Sequence, residues 1–217
     1  MKRTMAVAVA AAAVLAGCGK CPFKAAAGHE GHAHKAGESC GAVSKAPALK
    51  TPRLGVDLTG QYTNPDGMTI KDGEIWLSVN NLASGKPSCI AKITKDNALE
   101  KVIDLPVHQE TGICSSLGLV FAADGNLYVS DNQNHGGKGL GKSRVLRVVF
   151  EAGKAARAEV VAVGLHAANG IAAKGDSLYV NETTFGEGDP MDSGTYCFKL
   201  AELKAESPLK VDGTLKD

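Results

Sequence analysis

The chain has no excess of charge of either sign: 24 Lys and Arg face 23 Asp and Glu. Nothing in it therefore draws a polyanion, and nucleic acid is not an expected partner. It also lacks an apolar run long enough to cross a bilayer as a helix, which needs about 20 residues. The longest such run extends only from Met5 to Leu15. No stretch shows a helical 3.6-residue period to compete with its β pattern. Its cysteines and histidines match no structural zinc spacing.

What is present at the N-terminus is a leader. Lys2-Arg3 followed by the Ala/Val run reads as a secretory signal over residues 1–17. The run closes on Leu15-Ala16-Gly17-Cys18, the form of a bacterial lipobox, which implies cleavage before Cys18 and lipidation of that cysteine. Gly19 follows, with no aspartate to hold the product at the inner membrane. The expected location is the cell envelope, anchored by lipid in the outer membrane and facing the periplasm. Without the leader 22 basic residues face 23 acidic ones, a formal charge of −1.

Residues 18–50 are rich in Ala, Gly, Lys and His and poor in large apolar side chains, a composition that cannot bury enough surface to fold. They read as a lipidated tether. Cys21, His29, His32, His34 and Cys40 offer imidazole and thiolate to a soft or borderline metal. The alternative is a solvated tether whose two cysteines form a disulfide.

From residue 51 to 217 the chain repeats. Gly67, Gly118 and Gly170 lie 51 and 52 residues apart, and Trp76, Tyr128 and Tyr179 lie 52 and 51 apart. Between each glycine and its aromatic stand Asp72-Gly73, Asp124-Gly125 and Gly175-Asp176, pairs suited to tight hairpins. Ile90-Ala91-Lys92-Ile93, Val145-Leu146-Arg147-Val148 and Cys197-Phe198-Lys199-Leu200 read as a third strand with one cation at a fixed register. Fourth strands are expected at Leu99 to Leu105 and Ala158 to Val163. Four antiparallel strands in roughly 50 residues is the pattern of a β-propeller blade. The expected fold is all-β, about three four-stranded blades, half of a six-bladed ring. Three blades leave two apolar faces open. Either the chain is shorter than its relatives, or two copies pair as a homodimer that completes the ring, or the array stays open.

Gly136, Gly141, Lys142 and Ser143 match the formal phosphate-loop spacing, but Arg144 to Phe150 is a β-type run where that loop requires a helix. The glycines read as a long hairpin loop. Apart from Cys18, five cysteines remain. Cys197 aligns with Ile90 and Val145 and is expected in the core, and Cys89 with Cys114 is one candidate bridge between neighbouring blades.

Asp66, Leu117 and Asn169 precede the shared glycine, and Val79, Asp131 and Glu182 follow the aromatic by three residues. Oxygen ligands converging near a channel axis suit calcium. The plainer reading makes Asp66 and Asn169 turn residues that bond their own backbone.

Asn64-Pro65-Asp66-Gly67-Met68, the run Asp124 to Asp131 and Ala168-Asn169-Gly170-Ile171 resemble the family of gluconolactonases, senescence marker proteins and luciferin-regenerating enzymes over about residues 60 to 205. The resemblance implies a six-bladed propeller with one divalent metal, commonly calcium, that hydrolyses sugar or other small lactones. It implies Asp66 as metal ligand and catalytic base, and Asn169 as metal ligand. Asp131 and Glu182 would complete the metal set, and His108 and Glu110 would stand near substrate. The order of the motifs departs from the family, since the aspartate motif here precedes the asparagine motif by two repeats, and Leu117 cannot coordinate. A non-enzymatic propeller that binds a ligand or protein at the envelope, or an inactive fragment, is the competing expectation.

Overall fold

The structure, a computed structural model, describes residues 52–134, 139–184 and 193–211. The leader, Cys18 and the tether lie outside these residues. Among them the regular elements are twelve strands and two short 3-10 turns, so the chain is all-β.

The first sheet has the order β1-β2-β3-β4, formed by Pro65–Lys71, Glu74–Val79, Cys89–Ile93 and Leu99–Asp104. Its strands are antiparallel neighbours in sequence. The second runs β5 (Ser116–Phe121), β6 (Leu127–Asp131), β7 (Ser143–Glu151) and β8 (Lys154–Leu165). The third holds β9 (Ala168–Lys174), β10 (Ser177–Glu182) and β11 (Gly194–Lys199). The hairpins close where the sequence places them. Asp72 and Gly73 both take positive φ, 54° and 81°, between β1 and β2, the backbone of a two-residue turn that suits strand twist.

The third sheet departs from the expected four strands. β12 (Leu209–Lys210) does not join it but pairs in parallel with β8 at Ala162 and Val163, making the second sheet five-stranded. Leu209 and Val211 pack there on the apolar cluster shared with the third sheet, and that burial holds a two-residue strand.

The sheets lie side by side with β1 against β5 and β5 against β9. They do not close on themselves. Trp76, Ile90, Leu119, Leu127, Leu146 and Val148 fill the space between the first and second sheets. There the Trp76 ring meets Phe121 edge-on at 5.1 Å and Phe150 at 5.7 Å. Tyr128, Val145, Leu178, Val180 and Phe198 fill the space between the second and third. Leu58 and Tyr62 cover part of the outer face of the first sheet, over Leu77, Val79, Cys89 and Ala91.

The third strands align differently from expectation. Trp76 pairs with Lys92, Tyr128 with Arg147, and Tyr179 with Cys197. Cys197 thus stands at the cation position, not at the Ile90 position, and is exposed rather than in the core. Lys199 pairs with Ser177, two residues further on. The shift arises because the aromatic-to-partner spacing differs between repeats, so equal motifs do not mean equal register. Cys89 and Cys114 are both free and buried, and form no bridge. Ser143 opens β7 directly, so no helix follows the formal phosphate-loop motif.

Candidate functional site

The shared glycine marks a repeated irregularity. Strand register breaks between Pro65 and Met68 in β1, between Ser116 and Leu119 in β5, and opposite Val180 to Glu182 in β9. Each break is a bulge at the residue pair ending in Gly67, Gly118 or Gly170. The bulge brings neighbouring sheets into backbone contact. A Cβ on Gly67 would collide with the Leu117 carbonyl oxygen, and one on Gly118 would stand 2.8 Å from the Asn169 carbonyl oxygen. The hydroxyls of Ser78 and Ser130, each two residues after the aromatic, donate to those same two carbonyls. Gly170 meets only the Asn181 side chain, at 3.1 Å.

Asp66 and Asn169 are both exposed, on β1 and β9. β5, with buried Leu117, stands between them.

Asp131 and Glu182 end β6 and β10 and are almost completely buried. The Asp131 Oδ1 accepts from the Ser115 N–H at 2.7 Å and from Gln133 Nε2 at 2.7 Å. Its Oδ2 accepts from Arg144 Nε at 2.7 Å and Nη2 at 2.5 Å. The Glu182 carboxylate accepts from the backbone N–H of His166, at 2.7 Å, and of Ala167. Burial pushes the Glu182 carboxyl above the ordinary range, outweighing the backbone N–H groups that pull it down. Both acids therefore hold the connection that leads into the first strand of their own sheet, β5 or β9. In the first sheet Val79 occupies this register, and the Asn81 Oδ1 takes over, accepting from the Thr63 N–H at 3.0 Å.

His108 and Glu110 lie on the turn after β4, where they line an open groove of about 450 Å³ with Pro106, Val107 and Arg144. Arg144 links this groove to Asp131, because its Nη2 also donates to the Pro106 carbonyl at 2.8 Å. Burial and the Arg144 charge push the His108 imidazole below its ordinary value. Glu110 pairs with Lys142 at 2.8 Å, and that cation holds its carboxyl below the usual range. The groove lining includes neither Asp66 nor Asn169.

Calcium takes six to eight oxygen ligands. The four oxygens of Asp131 and Glu182 are occupied by protein donors, and among the described residues no three His, Cys, Asp or Glu side chains gather for a metal. The donor set left at the glycine register is Asp66 with Asn169, too few for calcium without further ligands.

Sequence reasoning overlooked Arg144, whose guanidinium pairs with the Asp131 Oδ2, and the Ser78 and Ser130 register that links neighbouring sheets. The serine signal was readable, since the two residues lie 52 apart.

No known family's sequence profile matches the chain, and no curated protein matches it.

Proposed function

We propose that the chain is a non-catalytic binding module, built as three blades of an incomplete β-propeller and held at the bacterial envelope by lipid on Cys18. The observation that carries the reading is the state of Asp131 and Glu182. These acids were expected to complete a metal set begun by Asp66 and Asn169, and their oxygens serve Arg144, Gln133 and backbone N–H groups instead. The propeller reading draws support from three neighbouring sheets with bulges at one register and inner strands β1, β5 and β9 side by side. Outer-membrane anchoring rests on the lipobox and Gly19.

The test is lactone hydrolysis by the chain from residue 52 onward, with a panel of sugar and other small lactones, with and without calcium. The expected result is turnover at the buffer rate in both, and no calcium shift of the melting temperature. A site filled at a hundredfold its Kd would add about 2.7 kcal/mol of stability. Calcium-dependent turnover that Asp66→Ala abolishes would overturn the reading.

The second reading is a calcium-dependent lactonase of the resembled family. It is favoured by the exposed side chains of Asp66 and Asn169, which make no hydrogen bond to described residues and keep their oxygens open to a ligand.

A further inference from the structure

Every sheet presents two faces, and the repeat fixes what each one meets. The face toward the preceding sheet carries Leu119, Phe121, Leu127, Val129, Leu146 and Val148 in the second sheet, packed against the first. In the third sheet Ile171, Ala173, Leu178, Val180, Tyr196 and Phe198 hold the same positions, packed against the second. The first sheet has the same apolar set in Met68, Ile70, Ile75, Leu77, Ala91 and Ile93, and among the described residues no sheet packs on it from that side. Segment 58–62 covers its outer half. The inner half is bare: Met68 is 69% exposed, Ile70 73% and Ile75 36%.

The face toward the following sheet shows the converse. In the first two sheets it holds a glycine, an aromatic and a serine in close contact with the next inner strand. In the third sheet Gly170, Tyr179 and Asn181 hold those places, and Ala172, Asn181, Thr195 and Cys197 are exposed. Thr195 donates to the Asn181 Oδ1 at 2.9 Å. That bond orients the Asn181 amide and leaves its Nδ2 as donor where Ser78 and Ser130 donate across their sheet boundaries.

We propose that the occupant of both faces is a second copy of this chain, the third sheet of each copy docking on the bare inner half of the first sheet of the other. The first and third sheets carry the two kinds of face that the internal boundaries join twice, so the contact reuses a complementarity already present within the fold rather than a new surface. Gly170 takes the close approach to the partner's Asp66 backbone, as Gly118 does to Asn169. The Asn181 Nδ2 donates to the carbonyl of that Asp66, and Tyr179 covers Ile70, as Trp76 covers Phe121. A two-fold axis makes both contacts identical and closes the assembly, which leaves no apolar end. The pairing deepens the binding-module reading by naming its partner, and it rests on that reading.

The experiment uses the chain from residue 52 onward, since the three cores draw on residues 58 to 211 alone. Sedimentation equilibrium should give the mass of two chains. Ile70→Glu, at a position already open to solvent, should give the mass of one chain with an unchanged circular dichroism spectrum. In a Cys197→Ser background, Ile70→Cys and Tyr179→Cys proteins should be joined by a short bismaleimide when mixed, and neither should be joined to itself. A single-chain mass for the unsubstituted protein overturns the pairing. So does a two-chain mass that Ile70→Glu leaves intact, or cross-linking of either protein alone. None of these outcomes bears on lactone turnover, so the pairing and the non-catalytic reading fail separately.

Discussion

Gly118 lies so close to Asn169 that a methyl group added to it would stand 2.8 Å from the Asn169 carbonyl oxygen. The two nearest atoms are backbone of β9, the Asn169 carbonyl oxygen and the Ile171 nitrogen, which cannot swing aside as a side chain can. Gly118→Ala is expected to cost about 1–3 kcal/mol, as overpacking does in a tight interior. Gly170→Ala at the equivalent position meets only the end of the Asn181 side chain and should leave the urea stability of the single chain within about 0.5 kcal/mol. Urea unfolding of the two variants in the Ile70→Glu background measures both. Equal losses would contradict the boundary geometry.

Asp131 and Arg144 form an ion pair with side chains only 0% and 7% exposed. Removing one member strands the other, at a cost of about 3–5 kcal/mol. Arg144→Met should therefore be among the most destabilising single changes in the second sheet. The double variant Asp131→Leu, Arg144→Met should recover part of the loss, although Ser115 and Gln133 then lose their acceptor. Urea midpoints of the single and double variants give the coupling.

The three cysteines among the described residues differ sharply in reactivity. Burial pushes the Cys89 thiol up to about 11 and that of Cys114 higher still, whereas Cys197 is exposed on β11. Only the thiolate attacks a disulfide reagent. Ellman's reagent should thus label a single thiol quickly in the folded Ile70→Glu chain from residue 52 onward, and adding Cys197→Ser should abolish that phase. The single-chain Ile70→Glu background keeps Cys197 clear of any docked copy.

His108 should titrate below 6.5, its ordinary value, because burial and Arg144 disfavour the imidazolium. The fold favours the neutral ring, so its contribution to stability is complete above 6.5 and is lost as pH falls through the lowered value. Proton NMR of the ring gives the midpoint. His108→Gln should narrow the gap in urea midpoint between pH 7.5 and pH 5, since the substituted residue does not titrate.

The period, the hairpins and the all-β class were legible because their signals are local. Asp72-Gly73 demands a positive φ at neighbouring residues, and apolar alternation follows strand pleat. The register of β11 was not legible, because it depends on the length of the connection from β10, which motif alignment ignores. The duty of Asp131 was hidden for a related reason. Its main partner Arg144 lies across a hairpin, and only the folded register places guanidinium and carboxylate together. β12 carried no signal, since a two-residue parallel pairing is decided by distant burial. The acidic register itself was found in sequence, while its occupation by Arg144, Gln133 and the N–H groups of Ser115, His166 and Ala167 is set only by the folded connections.

The claim that the two bare faces are mates is tested most directly by small-angle X-ray scattering of the chain from residue 52 onward, at concentrations in the tens of micromolar. The account predicts a compact two-chain particle with a radius of gyration of about 20 Å, falling to about 15 Å in Ile70→Glu. A particle of about 15 Å for both proteins would contradict it.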